Sequence, residues 1–114
     1  MTRPGVGLLQ GTLDVMILKT LSWKPMHGYG IAKWIQQITD DVLQIDEGSL
    51  YPALYRMEKQ EWVKAEWGIT ENNRRAKYYR LTAAGRRHFV AEASSWAVFA
   101  QALGKILRAT RQPA

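Results

Sequence analysis

Val63-Lys64-Ala65-Glu66-Trp67, then nine residues from Gly68 to Ala76, then Lys77-Tyr78-Tyr79-Arg80-Leu81, is the stretch that decides the fold. Val63, Ala65 and Trp67 alternate with Lys64 and Glu66, the period of two that a strand requires. The nine residues between are rich in turn formers and charge. The aromatic run 77–81 supplies a second strand, so the whole reads as a hairpin with a basic tip.

Upstream, three helical patterns come first. Residues 12–21 read as a helix capped by Thr12, with Leu13, Ile17 and Leu21 at helical spacing. Pro25 and Gly28 break it, and His27 between them orders the turn that follows. Residues 29–38 carry Ile31, Trp34, Ile35 and Ile38 as an apolar stripe that ends at Asp40-Asp41. The third helix starts near Asp46-Glu47-Gly48-Ser49, and two caps compete. With Ser49 as cap, Pro52 falls in the first turn and costs no backbone bond. With Asp46 as cap, Pro52 removes the bond to the Gly48 carbonyl and bends the helix. Leu50, Leu54 and Met57 form its buried side; Gly48, Pro52, Tyr55, Arg56 and Lys59 face the other way, flanked by Ser49 and Tyr51.

Downstream, Thr82 caps a helix running to about residue 109. Phe89, Ala93, Trp96, Ala100, Leu103 and Leu107 repeat at +4, +3, +4, +3, +4, a heptad seam that Phe99 and others widen. Such a helix is about 40 Å long, too long to be covered by the rest of the chain. A second copy is the economical partner for the exposed part, and packing on the chain's own first helix is the alternative. The expected fold is therefore mainly α with some β (α+β): a winged helix-turn-helix over residues 1–82, with a two-stranded wing, joined in one compact unit to a C-terminal dimerisation helix over 83–114. Residues 1–6 and 110–114 are expected to be frayed.

Charge sharpens the functional reading. Between Asn73 and Arg87 stand six basic residues (Arg74, Arg75, Lys77, Arg80, Arg86 and Arg87) and no acidic one; elsewhere ten basic residues face ten acidic ones. The net +6 thus equals the charge of that one segment, a concentration that attracts polyanions, double-stranded DNA first. A membrane fits less well, because the basic segment spans a hairpin and a helix start instead of one amphipathic helix. No apolar run is long enough for an ordinary transmembrane helix, and no secretory leader is recognised. The absence of cysteine fits a reducing cytoplasm. His27 and His88 lack zinc-motif spacing, the pairs Asp40-Asp41 and Asp46-Glu47 sit at helix boundaries, and no nucleophile elbow or phosphate loop occurs. No catalytic residue, metal or cofactor is expected.

Four motifs carry a resemblance. Leu9-Gln10-Gly11-Thr12-Leu13-Asp14; His27-Gly28-Tyr29-Gly30-Ile31; Glu47-Gly48-Ser49-Leu50-Tyr51-Pro52-Ala53-Leu54 with Met57-Glu58; and Arg74-Arg75-Ala76-Lys77-Tyr78-Tyr79-Arg80-Leu81-Thr82 with Gly85 together resemble the PadR family of bacterial transcriptional regulators, in its short subgroup with one C-terminal dimerisation helix. The resemblance spans residues 9–87 and implies a repressor that binds a palindromic operator as a homodimer. It also implies that Ser49, Tyr51, Pro52, Tyr55 and Arg56 lie nearest the major groove, and Asn73, Arg74, Arg75 and Lys77 in the wing. Glu61 and Trp62 depart from the family, which more often has a glycine and an aliphatic residue there, and Met57 replaces a usual leucine.

From side-chain chemistry, Arg56 is the candidate for a bidentate contact to guanine, while Ser49 and Tyr55 suit base edges or phosphate and Tyr51 a phosphate. Arg74, Arg75 and Lys77, with Asn73 beside them, suit phosphates, and a wing arginine suits a narrow minor groove. Trp96, with Phe99, Ala100 and room beside Ala93, either packs a dimer or, by resemblance to multidrug-binding members, lines a pocket for a small apolar or aromatic effector. The rival to a DNA-binding regulator is a winged-helix module for protein–protein contact.

Overall fold

A computed structural model describes residues 6–114, with side chains described from Gly11 onward. The elements are α1 (Val6–Leu21), β1 (Met26–His27), α2 (Gly28–Ile38), α3 (Glu47–Lys59), β2 (Val63–Ile69), β3 (Arg75–Leu81) and α4 (Ala83–Leu107). The fold is a mixed α+β winged helix. Among the described residues no helix is long and apolar enough to cross a membrane. Residues 1–5 of the expected frayed start lie outside the described residues, and the tail 110–114 is exposed without regular secondary structure.

Helix α1 begins at Val6, so Thr12 is an interior residue and not its cap. The first turns escape the pattern because nothing around Val6 marks a helix start, while Thr12 offers a cap signal farther on. At α2 the cap is His27, whose Nδ1 accepts from the Gly30 backbone N–H at 3.0 Å. The helix closes at Thr39, beyond which Asp40 and Asp41 take left-handed φ angles of 51° and 67° and their amides return to Gln37 and Gln36 carbonyls. Two short acidic side chains that tolerate this conformation thus end α2 where a glycine is the usual choice.

The sheet has three strands in the order β1-β3-β2, all antiparallel. The expected two-stranded wing is the β2–β3 hairpin, and β1 adds a third strand to the sheet at its base. Met26 and His27 pair with Tyr79 and Tyr78, and a two-residue strand beside a proline leaves no periodicity to read. The hairpin strands are also longer than expected. They run in register from Val63↔Leu81 to Ile69↔Arg75, leaving only residues 70–74 as the turn. That turn is closed by Thr70 N–H to the Arg74 carbonyl (2.8 Å) and Asn73 N–H to the Thr70 carbonyl (2.9 Å), with Asn73 at φ 59°.

The core lies where α1, α2 and α3 meet the base of the sheet. Leu13, Ile17, Leu18 and Leu21 of α1, Ile31 and Ile35 of α2, and Leu50, Ala53, Leu54 and Met57 of α3 close on Val63 and Tyr79. Removing one of these large aliphatic side chains costs about 2–5 kcal/mol, so this cluster fixes how α3 sits. Helix α4 gives only Phe89 to its edge. Its start is tied to the turn before β2, where the Thr82 cap accepts from Gly85 N–H and donates to the Glu61 carbonyl. There Gly85 is packed so closely that a Cβ would lie 2.0 Å from the Trp62 carbonyl oxygen. Trp62 in turn stacks on His88 at 3.7 Å.

Candidate nucleic-acid interface

Asp46, not Ser49, caps α3. Its carboxylate accepts from Ser49 N–H at 2.8 Å, and its carbonyl accepts from Leu50 N–H at 3.0 Å. Pro52 is consequently inside a helix that continues unbroken to Lys59. The Gly48 carbonyl has no helical donor, which costs little because Gly48 and Pro52 are both exposed. At the other end, Trp62 N–H reaches the Met57 carbonyl and Glu61 N–H the Glu58 carbonyl, both at 3.0 Å, with Glu61 at φ 61°. This is a Schellman closure with glutamate in the left-handed place. The glycine that the resemblance implies at this position would adopt this conformation without strain, and glutamate adopts it here.

At 100° per residue α3 has four sides. One is buried. On the flank shared by Ser49 and Arg56, the Arg56 guanidinium donates to the Asp14 carboxylate of α1, with side-chain exposures of 36% and 18%. On the flank shared by Tyr51 and Glu58, the Tyr51 ring fills the space beside Gly28, and Lys77 of β3 approaches Glu58 at 3.6 Å. The remaining side is a free ridge of Gly48, Pro52, Tyr55 and Lys59, all exposed. Tyr55 stands 62% exposed with the Lys59 ammonium 5.3 Å from its ring. Sequence reasoning placed Arg56 on that outward side; instead it leans to α1. Lys59, which the same wheel put outward, was not singled out.

The wing continues this surface. Val63, Ala65, Tyr79 and Leu81 occupy the sheet face that meets the core. By alternation Trp67, Ile69, Lys77 and Arg75 lie farther out on the same face. Trp67 and Ile69 are 61% and 63% exposed because the hairpin extends past the body. Arg75 lies with its guanidinium carbon 4.6 Å from the Trp67 ring centroid. On the other face Arg80 donates to Glu66 at 3.1 Å, and the Tyr78 ring covers Gly68.

The six cations of the basic segment are therefore not equivalent. Lys77 and Arg80 have carboxylate partners. Among the described residues no carboxylate lies within 4.0 Å of Arg74, Arg75, Arg86 or Arg87. Unneutralised charge concentrates at the wing tip and at the start of α4. Two further donors that the sequence did not single out border α3: Tyr29, 68% exposed, and Lys33, whose ammonium is 5.8 Å from the Tyr29 ring. They line a groove between α2 and α3 together with Asp41 and Glu47, so its charge is mixed.

The seam of α4 is divided. Phe89, Ala93 and Trp96 are half-buried, and Trp96 lies against Gly11 of α1 and edge-on to Phe99 at 5.7 Å. Ala100, Leu103 and Leu107 are exposed, the two leucines by 41% and 76%, together with Ile106 at 71%. The α1 packing that was the alternative to dimerisation accounts for the first half of the stripe and leaves the second half uncovered.

A three-helix core, a helix with one free polar ridge and an adjoining cationic hairpin define a winged-helix DNA-binding protein. Residues 17–91 match the Transcriptional regulator PadR-like family. The chain is similar to an uncharacterized protein of Lysinibacillus sphaericus, 33% identical over 90 residues that cover 79% of this chain and 83% of that one. Among solved structures it is similar to a transcriptional regulator from Clostridium thermocellum, with 30% identity, coverage of 90% and 99%, and a TM-score of 0.78. A PadR family transcription regulator from Clostridium difficile R20291 is 29% identical, with coverage of 83% and 97% and a TM-score of 0.69. The chain belongs to the PadR-like family of transcriptional regulators, and its general role is DNA-binding regulation of transcription.

Proposed function

We propose that the chain is a cytoplasmic repressor that binds a palindromic operator in double-stranded DNA as a homodimer. Residues 1–82 make the DNA contacts and 83–114 pair the two copies. The ridge of α3 enters the major groove, with Tyr55 and Ser49 at base edges or phosphates, Pro52 in apolar contact and Tyr51 toward the backbone. Lys59 joins them. Arg74 and Arg75 serve the backbone and minor groove, and Asn73 shapes the turn that carries them. Lys77 and Arg56 act partly as anchors, because each already shares its charge with a carboxylate. The observation that supports this reading is the Lys77–Glu58 contact, which ties the wing face that carries Arg75 to the flank of α3, as one duplex touching both would require.

Dimerisation through the uncovered half of α4 is supported by the run of exposed Phe99, Leu103, Ile106 and Leu107 on a helix whose earlier turns are covered. Packing of Trp96 on α1 accounts for that residue without a ligand, so the reading includes no effector. Selection of bound sequences from a random DNA pool, followed by mobility shifts at two salt concentrations, tests the proposal. A palindrome bound with steep salt dependence is expected. A protein that enriches no sequence and shifts random DNA weakly at both salts is an interaction module instead.

A further inference from the structure

The wing holds one feature that phosphate neutralisation does not explain. Trp67 is a large aromatic residue left 61% exposed on a ribbon that reaches beyond the core. Its register partner is Lys77, and Ile69 pairs with Arg75, so Arg75 must reach back along the strand to lie over the indole at 4.6 Å. The contact holds the guanidinium over the ring without supplying negative charge. Lys77 and Arg80, by contrast, spend part of their charge on Glu58 and Glu66. A guanidinium held by a ring instead of a carboxylate keeps N–H donors free for another acceptor.

We infer that Trp67 is a positioning residue that presents Arg75 as a preset minor-groove probe, giving the operator a preference for A·T pairs with a narrow minor groove where the wing lands. The inference rests on the DNA-binding reading above. Trp67 and Arg75 share the sheet face of Lys77, which contacts α3, so the probe addresses the duplex segment beside the one that α3 meets. A narrow A·T minor groove concentrates negative potential and lacks the guanine amino group, and both favour an inserted arginine. An arginine free to rotate would find phosphates as readily as the groove floor. The indole removes that freedom, which is what turns a general cation into a discriminating one.

The test uses the full chain and an operator obtained by random-pool selection, with the wing-facing pairs changed from A·T to G·C or to inosine·C. Inosine·C presents an A·T-like minor groove but a G·C-like major groove. The wild type is expected to bind A·T and inosine·C versions alike and the G·C version about 10-fold more weakly. Trp67→Ala and Arg75→Lys should bind all three within about twofold. Trp67→Ala retains all its cations and should keep the wild-type salt slope, while Trp67→Phe, which preserves a ring face, should restore the preference. Thermal melts of each variant separate loss of preference from loss of fold. The inference is overturned if the wild type ignores the substitutions, if inosine·C behaves as G·C, or if Trp67→Ala retains full discrimination. In each of these cases a selected palindrome with steep salt dependence leaves the broader reading standing. Failure to select any sequence overturns both.

Discussion

Arg56 shows how one side chain's partner sets its role. Its guanidinium is half-exposed, yet it donates to an Asp14 carboxylate that is only 18% exposed. The pair lies between the surface case, worth under about 1 kcal/mol, and the buried case, where losing one partner costs several. Arg56→Ala should therefore lower folding stability by about 1–2 kcal/mol, read by urea denaturation. A double-mutant cycle with Asp14→Asn should show coupling, and additive losses would mean the pair contributes nothing. Tyr79 gives a second residue-scale expectation. Burial first, then the negative charge of Glu58, then Tyr51, raise its pKa above 10.0. Folding thus favours the neutral phenol. Its stabilising contribution is complete below pH 10.0, the unfolded value, and is lost as pH rises through the higher folded value. Tyr79→Phe should flatten the alkaline limb of the stability curve; an unchanged limb would assign it to other groups.

Among elements, the closure of α3 and the first turn of α4 each make an expectation. Glu61 closes the helix at φ 61°, where a β-carbon is strained. Glu61→Gly should raise stability by about 0.5–1 kcal/mol, the left-handed strain being partly offset by glycine's larger unfolded entropy. A lower melting temperature would refute the assignment. Gly85 is the opposite case. A Cβ there meets a backbone oxygen at 2.0 Å, and Gly85→Ala should cost about 3 kcal/mol or prevent folding, as followed by circular dichroism. The same elements show what was legible beforehand. Ile31 and Ile35 of α2, the buried side of α3, the hairpin and the Thr82 cap all follow from periodicity and caps, because those signals are local, whereas Ile38, read into the same α2 stripe, is 63% exposed. Strand β1 and the exposure of Trp67 were not legible. Both depend on where the hairpin ends relative to the body, a distance no residue pattern encodes. Arg56 was misplaced for a related reason: a helical wheel gives its angle but not the carboxylate on another helix that draws it sideways.

For the whole molecule, the extents of 61 × 29 × 23 Å reflect the outer turns of α4 standing clear of the domain. Leu103 and Leu107 are already exposed in one chain, so replacing both by lysine should barely disturb a monomer. In a dimer the same change buries charge. Leu103→Lys with Leu107→Lys should convert the protein to a monomer in sedimentation, and the concentration dependence of the wild-type melting temperature should vanish. A double variant that still sediments as a dimer would move the interface elsewhere. The stepped seam explains why the heptad pattern supported two readings: its early positions serve α1 and its later ones face outward.

The two charged struts on either flank of α3, Asp14 to Arg56 and Glu58 to Lys77, leave the residues between them mechanically redundant. Gly48, Tyr55 and Lys59 are exposed, so under the proposed role of this ridge exchanging them would alter what the surface prefers while the scaffold keeps its shape. A lineage could drift from one target sequence to another through these positions without passing through an unstable intermediate.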